Sequence, residues 1–267
     1  MNLSELLEVC DLAKSAVRDV STIALTARAG GGAMAHSFEL GGRETKLELD
    51  RTMSKFLIQS LRSTQISVIC EEDNSSHSNS EEYVWLIDPL DGSFNFLRGA
   101  GPSAVSCALM RHNKPVLGIV YDLSVGSLTW GGAAIGAFTE GRGISVSTTA
   151  FLADAVIATG VPARLDMSEP NKIRELNYIL RAARKIRMIG SAAVSLVMVA
   201  RGSLDLYTEQ SIMPWDIAAG LAIVEGATGT YIADHMSRSK PLTVAAGCRK
   251  LVESYARDRF HSVETKL

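Results

Sequence analysis

Residues 85–96 constrain the chain more than any other feature, and they read Trp-Leu-Ile-Asp-Pro-Leu-Asp-Gly-Ser-Phe-Asn-Phe. The apolar run from Tyr83 to Ile87 is short, aromatic and branched, which predicts a buried strand. This strand delivers two acids, Asp88 and Asp91, at a sharp turn. Because Pro89 fixes φ and removes a backbone donor between them, the turn is expected to be rigid.

Gly92 and Ser93 follow the second acid and open the next segment. Backbone N–H groups at the start of such a segment can bind an anion. Acids and an anion site on one turn repel an anionic ligand unless cations lie between them. The turn therefore indicates a metal site combined with a phosphate site.

This stretch resembles the first signature of the inositol monophosphatase superfamily, Asp-Pro-hydrophobic-Asp-Gly-Ser/Thr. Two further stretches agree with the family pattern in the expected order. Upstream, Glu71-Glu72 closes the apolar run 66–70, and downstream residues 215–220, Trp-Asp-Ile-Ala-Ala-Gly, resemble the second signature. The resemblance covers nearly the whole chain, from the first predicted helix to the last.

The resemblance implies a mixed α+β or α/β fold, namely a layered αβαβα sandwich of the inositol monophosphatase and fructose-1,6-bisphosphatase type. We expect one phosphatase unit over residues 1–267 with two lobes. The metal-binding lobe is predicted at about 1–148 and the substrate-side lobe at about 149–267. A homodimer and sensitivity to Li⁺ are further expectations from the family.

The resemblance also implies which residues hold metal ions. The implied ligands of two principal ions are Glu71, Asp88, Leu90 through its carbonyl, Asp91 and Asp216. The first three would hold one ion, and Asp88, Asp91 and Asp216 would hold the second. Such all-oxygen ligands favour Mg²⁺, or alternatively Mn²⁺, over zinc, which prefers histidine or cysteine.

The implied reaction is direct attack of a metal-activated water on phosphorus. The resemblance assigns Glu71 and the Ser93 hydroxyl to orienting that water. Asp50 would accept a hydrogen bond from Ser93, help to carry the proton away, and take part in a third, weaker metal site. Without the resemblance, Asp50 at a predicted helix start would be interpreted as an N-cap.

Substrate contacts are likewise implied only by the resemblance. Backbone groups at residues 190–192 would approach a sugar or cyclitol ring, and Glu209 would contact its hydroxyls. The predicted substrate-binding set is Asp91, Gly92, Ser93, Gly190, Ser191, Ala192, Glu209 and Asp216.

The chain is thus predicted to be a Mg²⁺-dependent phosphatase of a small polyol phosphate, similar to inositol monophosphate. Fructose-1,6-bisphosphatase activity, or a specialised cyclitol, sugar or nucleotide phosphatase, remains an alternative. A non-catalytic, metal-dependent phospho-ligand-binding protein is another, because a fold alone does not prove turnover. Leu47, Leu49 and Cys70 favour this last interpretation, since many relatives carry threonine or glycine there.

Composition argues against other classes of protein. The net charge is −2 and no block of Lys or Arg occurs, so neither nucleic acid nor a membrane surface is an expected partner. No apolar run approaches the roughly 20 residues that span a bilayer. Four widely spaced cysteines and the lack of a secretory signal predict buried free thiols in a cytoplasmic protein.

Local patterns place the remaining elements. Ser4 is predicted to cap the first helix, and the Gly-rich segment 30–42 is either a surface loop or a flap over the site. Residues 44–50 are predicted to be extended, and Leu204–Tyr207 to form a strand. Arg164 is either a solvated loop charge or a ligand contact.

Overall fold

The computed structural model describes most of the chain, namely residues 1–29, 38–41, 44–72, 81–161, 170–234, 236 and 238–264. Residues 30–37 and 42 of the Gly-rich segment, predicted to be either a surface loop or a flap, lie outside the described residues, as do residues 73–80 and Arg164.

The larger sheet contains seven strands among the described residues, in the order β3-β4-β5-β6-β7-β8-β9. Its first pair is parallel and the other pairs are antiparallel. The strands are β3 (Val68–Cys70), β4 (Tyr83–Asp91), β5 (Ala104–Arg111), β6 (Lys114–Asp122), β7 (Ser127–Gly132), β8 (Gly136–Thr139) and β9 (Arg142–Gly143). A separate hairpin joins β1 (Phe38–Gly41) to β2 (Glu44–Leu47).

Five further strands of the described residues form the smaller sheet, in the order β11-β10-β12-β14-β13. These strands are β10 (Val156–Ala158), β11 (Lys185–Arg187), β12 (Leu206–Ile212), β13 (Thr230–Ala233) and β14 (Leu242–Gly247). The chain passes from one sheet to the other between Gly143 and Val156. The division into two functional lobes stays a prediction.

Helices separate and cover the two sheets. They are α1 (Leu3–Ala29), α2 (Glu48–Leu61), α3 (Ser93–Arg98), α4 (Pro170–Ala182), α5 (Ala192–Ala200), α6 (Pro214–Gly226) and α7 (Arg249–Glu264). The first two pack on the outer side of the larger sheet. Both α5 and α6 lie between the sheets, and α4 and α7 cover the smaller sheet. The layers therefore follow the order α, β, α, β, α.

The two central helices are apolar on nearly every side, which is typical of helices buried all round. Contact between α6 and the larger sheet is close enough to require a glycine. A Cβ added to Gly118 of β6 would lie 1.9 Å from the Ala219 carbonyl oxygen of α6. This packing fixes the start of α6, and with it Asp216, against the sheet that carries Asp88.

Several predicted boundaries differ from the structure. The predicted cap Ser4 is wrong, because the Glu5 N–H donates to the Asn2 side chain at 3.0 Å and the Asn2 N–H donates back to Glu5 at 2.8 Å. Residues 48–50 are helical rather than extended. Strand β12 begins at Leu206 and runs to Ile212, so Glu209 lies within a strand.

The hairpin of β5 and β6 turns at His112, which has a φ of 51°. The prediction that the four cysteines are buried free thiols is confirmed. Of the described residues, no helix combines the length and the apolar character needed to cross a membrane.

Candidate metal and phosphate site

The carboxyl end of β4 holds the first two predicted ligands. Its pairing with β5 shifts register between Asp88 and Asp91, so both acids belong to an irregular strand end. Asp88 accepts a hydrogen bond from the Leu90 N–H at 2.9 Å, which closes a turn around Pro89. Both carboxyl groups are buried.

Three predicted ligands converge at this strand end. Carboxylate oxygens of Glu71, Asp88 and Asp216 lie within 4.8 Å of one another, an arrangement that could hold a metal ion. Glu71 follows β3, which runs parallel to β4 and so ends beside it. Asp216 lies in the first turn of α6. Residues almost 150 positions apart in sequence thus meet because two parallel strands end where a central helix begins.

Electrostatics at Asp88 favour a cation. Burial raises the pKa of its carboxyl well above the ordinary range, and the negative charges of Glu71, Asp216 and Asp91 raise the pKa further. Repulsion of this kind is relieved when a cation lies between the acids. The donor set is entirely oxygen, so the residues present fit a hard divalent cation.

Asp91 is directed towards the start of α5. Its Oδ2 accepts the Ser191 hydroxyl at 2.5 Å and the Ala193 N–H at 2.8 Å. Burial raises the pKa of Asp91 to about 6, although these hydrogen bonds act in the opposite direction. Among the described residues, Asp91 is not part of the group of three carboxylates. Its predicted role as a ligand of the second ion stays a prediction.

The Ser93 hydroxyl lies between two acceptors. It donates to the Leu90 carbonyl oxygen at 2.7 Å, and Oδ2 of buried Asp50 is 3.4 Å away. A hydroxyl has one hydrogen to donate, so the shorter contact takes it in this arrangement. The predicted hydrogen bond from Ser93 to Asp50 is therefore long, because the Leu90 carbonyl oxygen lies closer to the same hydroxyl.

The segment 190–193 packs directly on the first signature. A Cβ added to Gly92, whose φ is +79°, would lie 2.9 Å from the Gly190 carbonyl oxygen and 3.4 Å from the Ser191 Cβ. Asn95, to which sequence reasoning gave no role, joins the first signature to the segment before residue 190. Its side-chain Nδ2 donates to the Pro102 carbonyl oxygen at 2.9 Å and to the Ile189 carbonyl oxygen at 2.8 Å. An isolated polar residue between two phenylalanines was the available signal.

Glu209 lies close enough to Asp91 for the two charges to interact. Its Oε2 accepts the Tyr207 hydroxyl at 2.8 Å, and both side chains are largely buried. Burial raises the pKa of Glu209 to about 7, while the Tyr207 hydrogen bond lowers it and the Asp91 charge raises it. Sequence reasoning did not identify Tyr207.

Comparison with known proteins agrees with this geometry. The model of the inositol monophosphatase family matches residues 5–259. The chain belongs to the inositol monophosphatase family. The family predicted from the three sequence blocks is therefore confirmed. The predicted enzyme class is confirmed too, because relatives that are named inositol-1-monophosphatase are phosphoric monoester hydrolases.

Relatives of this inositol monophosphatase family member carry related names. An inositol-1-monophosphatase of Synechocystis is 34% identical over 75% of the chain and 69% of its own length. A protein of Aquifex aeolicus named fructose-1,6-bisphosphatase/inositol-1-monophosphatase is 35% identical over 60% of the chain and 61% of its own length. The matched segments therefore span about two thirds of these proteins.

The fold prediction is confirmed by a solved structure. The extragenic suppressor protein suhB of Bartonella henselae superposes with a TM-score of 0.83 and 26% identity, covering 97% of this chain and 100% of that one. This chain thus shares its layered αβαβα arrangement with that protein.

Replacing Gly92 by alanine is expected to lower the free energy of unfolding by about 2–4 kcal/mol, because left-handed φ and a close contact act together. Activity is expected to fall at least about 10-fold as the turn shifts. Gly141 is a matched control, since its φ is also +79° but no atom lies within 4 Å of an added Cβ. Urea unfolding of both variants measures the difference, and equal losses would contradict the packing argument.

Proposed function

We propose that the chain is a divalent-cation-dependent phosphatase that hydrolyses a small polyol monophosphate similar to inositol monophosphate. The convergence of Glu71, Asp88 and Asp216 carries this proposal, because Asp88 lies near the end of β4, the strand that leads directly into Gly92 and Ser93. A cation site next to backbone donors is the arrangement that a phosphate monoester requires.

Glu71, Asp88 and Asp216 would hold the cation, and the Leu90 carbonyl and Asp91 are the proposed additional ligands. Mg²⁺ is the proposed ion, with Mn²⁺ as its substitute, because all of these donors are oxygens. When bound, the cation stabilises negative charge on the phosphoryl oxygens and makes water a better nucleophile.

Other groups of the chain would orient the reactants. The Glu71 carboxylate would orient the attacking water and accept its hydrogen bond, and the Ser93 hydroxyl would direct its oxygen lone pairs to the same place. Asp50, 3.4 Å from that hydroxyl, would help to accept the proton that water loses. The amides of Gly92 and Ser93 would donate to the phosphoryl oxygens.

The alcohol part of the substrate would lie between α5 and β12. We assign it to Asp91, Glu209, Asp216 and the backbone at 190–192, where hydroxyl groups would find acceptors. A second candidate is fructose 1,6-bisphosphate, favoured by the name of the Aquifex relative. A homodimer, a cytoplasmic location and inhibition by Li⁺ follow from the family resemblance as further proposals.

Release of inorganic phosphate tests the proposal. Inositol 1-phosphate, fructose 1,6-bisphosphate and 3′-phosphoadenosine 5′-phosphate are each offered with Mg²⁺ and with EDTA. We expect turnover of inositol 1-phosphate that requires Mg²⁺ and is lost in Glu71→Gln. Metal binding without turnover of any ester would instead support a non-catalytic phospho-ligand-binding protein, and preferred turnover of the bisphosphate would support the second candidate.

A further inference from the structure

We propose that Tyr207 and Gly160 are positioning residues that hold the Glu209 carboxylate in place, and that this arrangement sets the affinity for polyhydroxylated substrates. The inference rests on the proposed function, because it concerns how the alcohol part of the substrate is bound. It adds two residues, one from β12 and one from the loop after β10, to those that the sequence identified.

Tyr207 contacts Glu209 along one side of β12. Residues two apart in a strand point to the same side, so Tyr207 and Glu209 both lie on the side that packs against α5 and α6. The Tyr207 side chain is 1% exposed, and its hydroxyl donates to Glu209 Oε2 at 2.8 Å. A buried hydroxyl is costly without a partner. The Glu209 carboxylate is therefore the acceptor that satisfies this buried hydroxyl.

Gly160 provides the space that the carboxylate occupies. A Cβ added there would lie 2.4 Å from Glu209 Oε2 and 2.6 Å from its carboxyl carbon. The φ of Gly160 lies outside the left-handed region, so its backbone conformation is open to other residues. Since backbone geometry does not demand glycine, the main effect of a side chain at this position would be to displace the Glu209 carboxylate.

The carboxylate is therefore held from two directions, by a hydrogen bond from Tyr207 and by close packing on Gly160. A glutamate side chain otherwise has several rotamers, and ordering them during substrate binding would weaken affinity. Glu209 is 8% exposed, so its accessible oxygen surface is small and its direction is fixed before binding. A fixed acceptor of this kind favours substrates that carry a hydroxyl group at one particular position over substrates that lack it.

A comparison of two substrates tests the assignment. One is inositol 1-phosphate, and the other is 4-nitrophenyl phosphate, whose leaving group carries no alcohol hydroxyls. In Tyr207→Phe we expect KM for inositol 1-phosphate to rise about 5- to 10-fold, as for the loss of one oriented hydrogen bond. In the same variant, kcat for inositol 1-phosphate should change less than about 2-fold. The kcat and KM for 4-nitrophenyl phosphate should also change less than about 2-fold. Gly160→Ala should raise the same KM by displacing the carboxylate.

Tyr255→Phe is the matched control, because it removes the hydroxyl of another fully buried tyrosine. The Tyr255 hydroxyl contacts Thr208 at 3.0 Å and bonds to Glu175, on the opposite side of β12. The ratio of kcat/KM for the two substrates should equal that of the wild type in this control.

The outcomes separate the two proposals. If the wild-type enzyme hydrolyses inositol 1-phosphate but Tyr207→Phe leaves the ratio of kcat/KM for the two substrates unchanged, the positioning role is overturned. The proposed function is then left intact. A wild-type protein that hydrolyses neither ester overturns the proposed function, and the positioning role fails with it. If Gly160→Ala does not fold, the Tyr207→Phe result decides alone.

Discussion

Replacing Asp88 by asparagine is expected to lower kcat/KM for the phosphate ester by at least about 1000-fold. Asp88 is the buried member of the three converging carboxylates, and its charge interacts with Glu71, Asp216 and Asp91. Metal stabilisation of a phosphoryl transition state amounts to several kcal/mol, and each 1.36 kcal/mol changes the rate tenfold. Steady-state phosphate release with saturating Mg²⁺ measures the loss.

Asp122→Asn is a closely matched control for this prediction. Asp122 is buried too, and its Oδ1 accepts the Ser124 N–H at 2.8 Å, as Asp88 accepts the Leu90 N–H at 2.9 Å. Both variants keep an oxygen that can accept this bond, so both should fold. An Asp88→Asn enzyme with activity like that of Asp122→Asn would show that the carboxylate cluster is not the reaction centre.

The sequence predicts the ends of the elements that form the site better than it predicts how they meet. The apolar run before Asp88 and the first turn of a helix at Asp216 could both be predicted from local patterns. Their convergence depends on the parallel pairing of β3 with β4 and on α6 packing at Gly118. Before the structure, only the family resemblance brought these distant acids together.

Residues that connect elements through hydrogen bonds were the ones missed. Asn95 bonds to carbonyl groups of other segments, so its polarity between two phenylalanines did not identify its partners. Tyr207 and Asn2 bond to residues two and three positions away, and the pair Asn2 and Glu5 has the spacing of a capping box that was overlooked. Cys70 shows the same point, because its departure from the family glycine is accommodated by a 2.7 Å contact with the Ser54 hydroxyl of α2. That contact joins β3 to α2, so this departure gives little support to a non-catalytic protein.

In the presence of EDTA, the stability of the protein is expected to fall as the pH is raised from 4 towards 8, and Mg²⁺ should prevent most of that fall. The folded-state pKa of Asp91 is raised from 3.8 to about 6 by burial. Between these values the folded state binds more protons than the unfolded state, so stability decreases as the pH rises. A shift of about two pH units corresponds to roughly 3 kcal/mol.

Ionisation of Asp88 extends this loss of folding stability to higher pH, because burial and three neighbouring acids raise its pKa well above the ordinary range. A cation bound by the ionised carboxylates removes this repulsion and binds only the folded state, which adds about 2.7 kcal/mol at 100 times its Kd. For a domain of 150–250 residues, about 1 kcal/mol shifts Tm by roughly 2–4 °C. Mg²⁺ should thus raise Tm by several degrees at pH 8 and by much less at pH 5.

Thermal unfolding monitored by circular dichroism, at pH 5 and pH 8 with EDTA or with Mg²⁺, gives the four values needed. Asp91→Asn removes one buried charge but keeps an oxygen for the Ser191 hydroxyl and the Ala193 N–H, so its profile in EDTA should be flatter. If Mg²⁺ raises Tm equally at both pH values, ionisation of the buried carboxylates does not control cation binding, and the electrostatic account of this site is wrong.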